Sequence, residues 1–461
     1  MRTRNATLAF SIVLALWLGV STQSFAVPSY ARQTGLACQA CHTVFPELTP
    51  FGRSFKLNAY QIDNLPQVQG ITQSKEYELL LNQVPPLSFM FQTSYTKTKQ
   101  PLPDSASTDT SAQNGQVLFP QQASLFYAGR IAPGLGAFVQ ITYDSASGNL
   151  HWDNTEIRYA SQLSLASSDP LTVGITGNNN PTVQDVWNST PAWQTPFDQR
   201  TNAAPVPGAA TQVDGLLGGS VAGLTAYAWW RNSVYAELGV YRSSPQGFSN
   251  PTTGLAGPLD STAGGVVNSA PYWRLAYENQ WNRNALSIGT YGIDVKRSPE
   301  GEPLGGATDH FRDTALDGQY QYIGDDHIFS VQSTYIEEKQ HLDATFALGG
   351  SDNASNDLKT FRLGASYYFR RTYGGAFGMF STKGSMDATR YVPASVVGFA
   401  NGSPDSKGWI AEVSWIPWQN VKLLGQYVAY QKFNGASTNY DGNGRNASDN
   451  DTLYLLAWLA F

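Results

Sequence analysis

Both cysteines of this 461-residue chain lie in one pentapeptide, Cys38-Gln39-Ala40-Cys41-His42. Two residues separate the thiols, and a histidine follows the second directly. That spacing is the one that attaches haem c. Two thiols add to the two vinyl groups of the porphyrin, and the adjacent imidazole binds the iron from one face. A disulfide or a chance pair of buried cysteines is the competing reading. With two Cys and five His in the whole chain, coincidence has little material to work with. Cys38 and Cys41 are therefore the expected covalent anchors of one haem c, and His42 its expected axial ligand.

A sixth iron ligand is harder to assign. Methionine is the usual partner in high-potential cytochromes c. After the initiator the chain offers Met90, Met379 and Met386. Met90 is nearest in sequence and is the candidate, although a methionine on a strand ordinarily just packs. His151, His310, His327 and His341 lie far from the motif and near expected loops, which suits solvated or structural roles.

The elements that carry these residues begin with a leader. Arg2 and Arg4 form a basic stretch, Ala6 to Val20 is apolar, and Ser24-Phe25-Ala26 fits a signal-peptidase site, so residues 1–26 read as a signal peptide. Export to the periplasm is also where haem c is attached. Residues 27–65 then form a short segment. Thr34 or Gly35 precedes a helical turn bearing the cysteines and His42, and Pro46 and Pro50 break the chain. Phe45, Leu48, Phe51, Phe55 and Leu57 supply apolar cover for a porphyrin or simply pack a small helical pair, while Arg53 and Lys56 are candidate propionate partners. A unit of roughly forty residues rarely makes an independent core. It is expected to lean on the remainder of the chain, a linker over residues 66–86 and then a barrel over residues 87–461.

Within this segment the pattern becomes specific. Tyr30-Ala31-Arg32-Gln33-Thr34-Gly35, the Cys38–His42 motif, Phe45-Pro46-Glu47-Leu48-Thr49-Pro50-Phe51-Gly52-Arg53 and Phe55-Lys56-Leu57-Asn58-Ala59-Tyr60 resemble the fused monohaem cytochrome c–porins. Ala59 stands where the family pattern usually has Gly. The resemblance is residue by residue over Tyr30 to Tyr60 and architectural beyond. It implies an outer-membrane barrel joined to a very short monohaem segment, and iron oxidation as the activity.

Composition points to a barrel independently, with a soluble β-sandwich or propeller as the rival class. Charged residues are 14% of the chain, against the roughly 25% usual for soluble domains. Aromatic residues are 13%, and no run after the leader is long and apolar enough for a transmembrane helix. From Leu87 onward, stretches of roughly ten to thirteen residues alternate in polarity, the length a tilted strand needs to cross a bilayer. Leu125, Tyr127 and Ile131 oppose Ser124, Phe126 and Arg130; Leu275, Tyr277 and Trp281 oppose Arg274, Glu278 and Gln280. About sixteen strands are expected, starting near Leu87, Ala123, Gly136, Asn154, Leu171, Ala222, Val234, Tyr272, Ala285, Phe311, Ile328, Leu358, Thr372, Trp409, Val421 and Asp451. Alternate connectors are short, such as Pro133-Gly134-Leu135-Gly136, Arg231-Asn232-Ser233 and Asn282-Arg283-Asn284. The intervening ones, near 99–121, 178–213, 244–270, 341–357, 386–407 and 434–450, are long and rich in Gly, Ser, Asn and Pro. A periplasmic haem segment puts every short turn on the periplasmic side. Leu453, Leu455, Ala457, Leu459 and Phe461 end the chain on the alternating pattern with a terminal aromatic, resembling the insertion signal of outer-membrane proteins.

The third external connector, Asn178 to Thr211, carries Trp187, Trp193 and Phe197, which suits either inward packing over the haem or a folded external cap. No phosphate loop, HExxH or nucleophile motif competes with the haem site. Asp260, Asp313, Asp317, Asp325, Asp326, Asp352 and Asp357 are candidates to attract Fe(II), though such residues are usually plain loop charges. A formal charge of −6 argues against nucleic acid. The expected function is an outer-membrane electron conduit, a possible Fe(II):cytochrome c oxidoreductase. It would carry electrons from an extracellular donor, foremost Fe(II), through haem c to a soluble periplasmic cytochrome. The alternatives are a solute porin with a haem-bearing plug or redox gate, and electron export through the same parts.

Overall fold

The structure, a computed structural model, describes residues 28–62, 67–69, 80–103, 114–145, 148–164, 169–190, 204–243, 265–299, 302 and 306–461. The expected leader lies outside the described residues. Sixteen antiparallel strands close into one barrel. The first eight are β1 (Leu87–Thr98), β2 (Gln116–Ala132), β3 (Leu135–Asp144), β4 (Asn149–Ser164), β5 (Pro170–Asn178), β6 (Val221–Trp230), β7 (Val234–Ser243) and β8 (Ala270–Trp281). The second eight are β9 (Asn284–Arg297), β10 (Asp309–Ile323), β11 (His327–His341), β12 (Ser355–Phe369), β13 (Tyr373–Gly384), β14 (Ser406–Trp418), β15 (Val421–Lys432) and β16 (Thr452–Ala460). Each strand pairs with its sequence neighbour, and β16 returns to β1 with Thr452 opposite Thr98 and Ala460 opposite Met90.

The pleat sends successive side chains to opposite faces, and here polarity follows that alternation. Ser124 and Phe126 are buried toward the lumen while Leu125 is exposed outside; Arg274 and Glu278 are buried while Leu275 and Tyr277 are exposed. Leu238 is 71% exposed and Val413 69%, whereas Gln140, Glu156, Arg158 and Glu338 are at 0%. Polar inside and apolar outside reverses the order of a water-soluble protein. A closed barrel of this polarity satisfies its backbone in lipid and presents hydrocarbon to hydrocarbon. The chain is a membrane-spanning β-barrel.

Every expected strand start finds a strand, within a few residues in all cases but one. β2 begins at Gln116 rather than near Ala123. Pro120 hides this extension, because proline sits in sheets only at edges and bulges. The register of β1 with β2 shifts between Gln92 and Ser94, where Gln122 and Leu118 are the partners on either side. At one end of the barrel the connections are tight. Arg231 and Asn232 (φ 53° and 52°), and Arg370 and Arg371 (φ 50° and 55°), are pairs of left-handed residues, as two-residue hairpin turns of matching twist require.

The segment before the barrel sits inside its short-turn end. It comprises α1 (Pro28–Thr34), α2 (Cys38–Cys41), a small hairpin pairing His42–Val44 with Glu47–Leu48, and α3 (Pro50–Leu57). Gly35, at φ 69°, ends α1. Thr49 caps α3, its Oγ1 accepting from Gly52 N at 3.0 Å and donating to Ala40 O at 2.6 Å, so one hydroxyl joins two helices. Ala59 adopts φ 54°, the left-handed geometry that favours glycine, so the chain keeps the turn with alanine.

Side chains fix this segment to the wall all the way round. Tyr30 donates to Ala137 O and Gln33 to Ala128 O. Tyr60 donates to Glu156 Oε1 at 2.9 Å, and Lys56 pairs with Glu156 at 3.3 Å. Glu47 accepts from Ser330 and from Gln321 at 2.8 Å. Arg53, 1% exposed, gives Nε to Glu278 Oε2 at 2.7 Å and Nη1 to Leu48 O, Gln319 Oε1 and Gln321 Oε1. Removing one partner of a buried pair costs roughly 3–5 kcal/mol, because the other charge stays behind. Arg53→Met should therefore leave the barrel assembled, as judged by heat-modifiable migration, but release residues 28–62 to limited proteolysis. Equal protease resistance in wild type and variant would show that the segment is held some other way.

Candidate functional site

α2 is a single helical turn, which places Cys38 and Cys41 on one side with His42 immediately beyond. Its position is set by α3. A Cβ on Gly52 would lie 2.1 Å from Cys41 O, so only glycine lets the two helices touch. No disulfide joins the cysteines. Burial pushes the Cys41 thiol up to about 11, which keeps it protonated and poorly suited to thiol–disulfide exchange. Burial also pushes His42 down to about 4, so the imidazole is neutral near pH 7, the form that ligates a metal. Its Nδ1 is a buried atom without a hydrogen-bond partner.

Two apolar cavities meet at Cys38, His42 and Phe45. The first, about 940 Å³, also has Tyr30, Cys41, Phe55, Tyr60, Phe138 and Val186 in its wall. The second, about 850 Å³, is bounded by Met90, Phe126, Trp458, Arg371 and Lys422. Aromatic packing stiffens them: Tyr30 stacks on Tyr60 at 5.0 Å, and Phe45 meets Trp458 edge-on at 4.8 Å. Two thiols one turn apart, an imidazole directly after the second and adjoining apolar space fit haem c.

Met90 is 3% exposed and lines the second cavity with His42; its sulfur receives Gln92 Nε2 at 3.8 Å. Met379 and Met386 are exposed, at 43% and 64%. None of His151, His310, His327 and His341 lines either cavity. The structure thus brings together Cys38, Cys41, His42 and Met90. It does not bring Arg53 to a propionate position, because Arg53 is committed to Glu278 and lines neither cavity. Lys56 lines the first cavity but is paired with Glu156. Arg371, on the β12–β13 turn, lines the second cavity instead and donates to Gln39 O at 3.2 Å. Its sequence signal was an arginine pair in a tight turn at the end where the cysteines lie.

The third long connector folds inward. After β5, α4 (Pro181–Gln184) leads to Trp187, which is 1% exposed and packs on Trp229 and Tyr235 at 5.9 and 5.0 Å. Trp187 Nε1 donates to Glu278 Oε2 at 3.2 Å, and Gln332 donates to the Trp187 and Asn188 carbonyls. Val186 and Asn188 close one side of the first cavity. Trp193 and Phe197 lie outside the described residues. The same connector turns inward again before β6. Gln212 N donates to Glu338 and Val213 N to Asp313, both at 2.7 Å, above the first.

The acidic residues read as Fe(II) attractors are otherwise engaged. Asp313 and Asp317 are lumen residues, Asp317 pairing with Arg274 at 2.8 Å. Asp325 pairs with Arg283, Asp326 with Arg370 and Asp357 with Lys339, while Asp352 accepts from the Ala388 and Thr389 backbone. Asp260 lies outside the described residues.

No family model matches the chain, and no curated protein matches it. Among solved structures it is similar to Salmonella typhi OmpF in complex with daunomycin (14% identity, TM-score 0.45, covering 81% of this chain and 97% of that one). It is also similar to the anion-selective porin of Comamonas acidovorans (12%, 0.43, 81% and 98%). The outer-membrane channel DcaP of Acinetobacter baumannii is a third (10%, 0.42, 81% and 96%). At these values nothing further rests on the likeness; the barrel stands on its own strand order and polarity.

Gly52→Ala tests how α2 is held. The added methyl group meets the Cys41 carbonyl, so covalent haem incorporation, read by haem staining of a denaturing gel, should fall several-fold while barrel yield is unchanged. Wild-type incorporation would show that contact with α3 does not position the motif.

Proposed function

We propose that the protein is an outer-membrane electron conduit, an Fe(II):cytochrome c oxidoreductase with a soluble periplasmic cytochrome as acceptor. Cys38 and Cys41 would hold one haem c covalently, and His42 and Met90 would supply the protein's ligands to its iron. Bound haem c supplies a one-electron iron couple at this position. The observation that carries the reading is the seat of the CxxCH turn: inside a membrane barrel, at the short-turn end, beside two apolar cavities.

The chain's own residues supply the rest. Neutral His42 and the thioether of Met90 present two unlike donors to the same cavity, and a methionine–histidine pair raises the potential relative to two histidines. Phe45, Phe126 and Trp458 supply apolar surface to that cavity's wall. The inward stretch around Trp187 puts Val186 and Asn188 in the wall of the first cavity. Fe(II) as extracellular substrate then leaves its insoluble ferric product outside.

A second reading is a solute channel with a haem-bearing plug. It is favoured by the polar side chains that the strands turn toward the lumen.

Haem-loaded protein in liposomes, mixed with external Fe(II) in a stopped-flow spectrometer, separates the two. Rapid haem reduction without leakage of an entrapped sugar is expected; no reduction together with leakage would establish the channel. His42→Ala should abolish reduction while barrel assembly persists. Met90→Leu should keep covalent haem, lose the far-red sulfur-to-iron charge-transfer band and lower the potential. An unchanged spectrum would remove Met90 from the iron.

A further inference from the structure

Outside the apolar band, at the long-loop rim, two histidines stand face to face. His310 on β10 and His341 on β11 are direct cross-strand partners, and their rings lie 6.0 Å apart at 29°. Both are on the outward parity of their strands, beyond the exposed Leu316 and Tyr335. Each ring is oriented through one nitrogen. His310 Nε2 contacts Asp294 Oδ1 at 2.6 Å, and His341 Nδ1 contacts Ser355 Oγ at 3.2 Å. The remaining nitrogens, Nδ1 of His310 and Nε2 of His341, belong to neighbouring rings on one surface.

We propose that these two nitrogens bind a divalent first-row transition-metal ion. Imidazole suits Fe, Cu, Zn and Ni, and metal-bound histidines typically give their other N–H to a carboxylate or similar acceptor, which fixes tautomer and aim. Asp294 plays that part for His310. Among the described residues no three His, Cys, Asp or Glu side chains form a metal cage, so the protein supplies two donors and water completes the shell. The surrounding charge is largely compensated: Arg312 pairs with Asp294 at 3.1 Å, and Lys339 with Asp357 at 2.8 Å. Lys296 faces His310 from β9 and opposes a cation there. The site is independent of the haem and would hold metal ions where the barrel meets the exterior.

The test uses untagged, haem-loaded protein in detergent, titrated with Cu(II) alone and read by electron paramagnetic resonance and calorimetry. One saturable site with two-nitrogen hyperfine structure is expected. His310→Ala and His341→Ala should each weaken it at least about 10-fold, and Asp294→Asn by about 10-fold. Lys296→Gln should tighten it. Absence of saturable binding, binding indifferent to both histidine variants, or binding lost in His327→Ala at the opposite end would each overturn the proposal.

Discussion

One carboxylate organises the inside of this barrel. Glu278 projects from β8 into the lumen at the level of the amino-terminal segment, and its Oε2 accepts from both Arg53 Nε and Trp187 Nε1. The first contact holds α3, and through it the CxxCH turn; the second holds the inward stretch after β5. Arginine is suited to the task because its planar guanidinium presents several donors in fixed directions. Here it also reaches Leu48 O in its own segment and Gln319 and Gln321 on β10. A segment of this size has too little core to stand alone. The wall of the barrel supplies the missing partners, polar ones included, and so the fold of the segment is a property of the whole chain.

The lumen is consequently layered rather than open. The amino-terminal segment occupies the short-turn end, the stretch around Trp187 lies above it, and the stretch at Gln212 and Val213 above that. Each layer is satisfied by inward polar side chains of the strands. The same alternation that suits the outer face to lipid therefore furnishes the inner face with the carboxylates, carboxamides and guanidinium groups that grip the filling.

Much of this was legible in the sequence, and the reason is periodicity. A lipid-facing strand must alternate, so the strand starts from Leu87 to Asp451 could be read within a few residues. β2 escaped because Pro120 interrupts the pattern. The CxxCH motif is local, and local chemistry needs no fold to be recognised. Contacts between distant residues were less accessible. Nothing beside Arg53 in the chain announces Glu278, 225 positions away, so its charge was read as available for a propionate when it was already spoken for. Arg371 was overlooked for the converse reason, since only the closed barrel carries its turn to α2. The direction of the third connector was an open choice because Trp187 would be equally out of place in water under either arrangement. Its partners on β7, β8 and β11 decide it.

The seam of the barrel has a consequence for biogenesis. Ala460 pairs with Met90, and Phe461 exchanges both backbone hydrogen bonds with Phe89, at 2.7 and 2.8 Å. Met90 and Trp458, which line the second cavity with His42, sit on the first and last strands, whose pairing closes the barrel. A chain whose final strand has not yet docked possesses the CxxCH turn but lacks the opposite wall of its chamber. Under the proposed function, the chamber for the haem is therefore complete only once β16 has paired with β1.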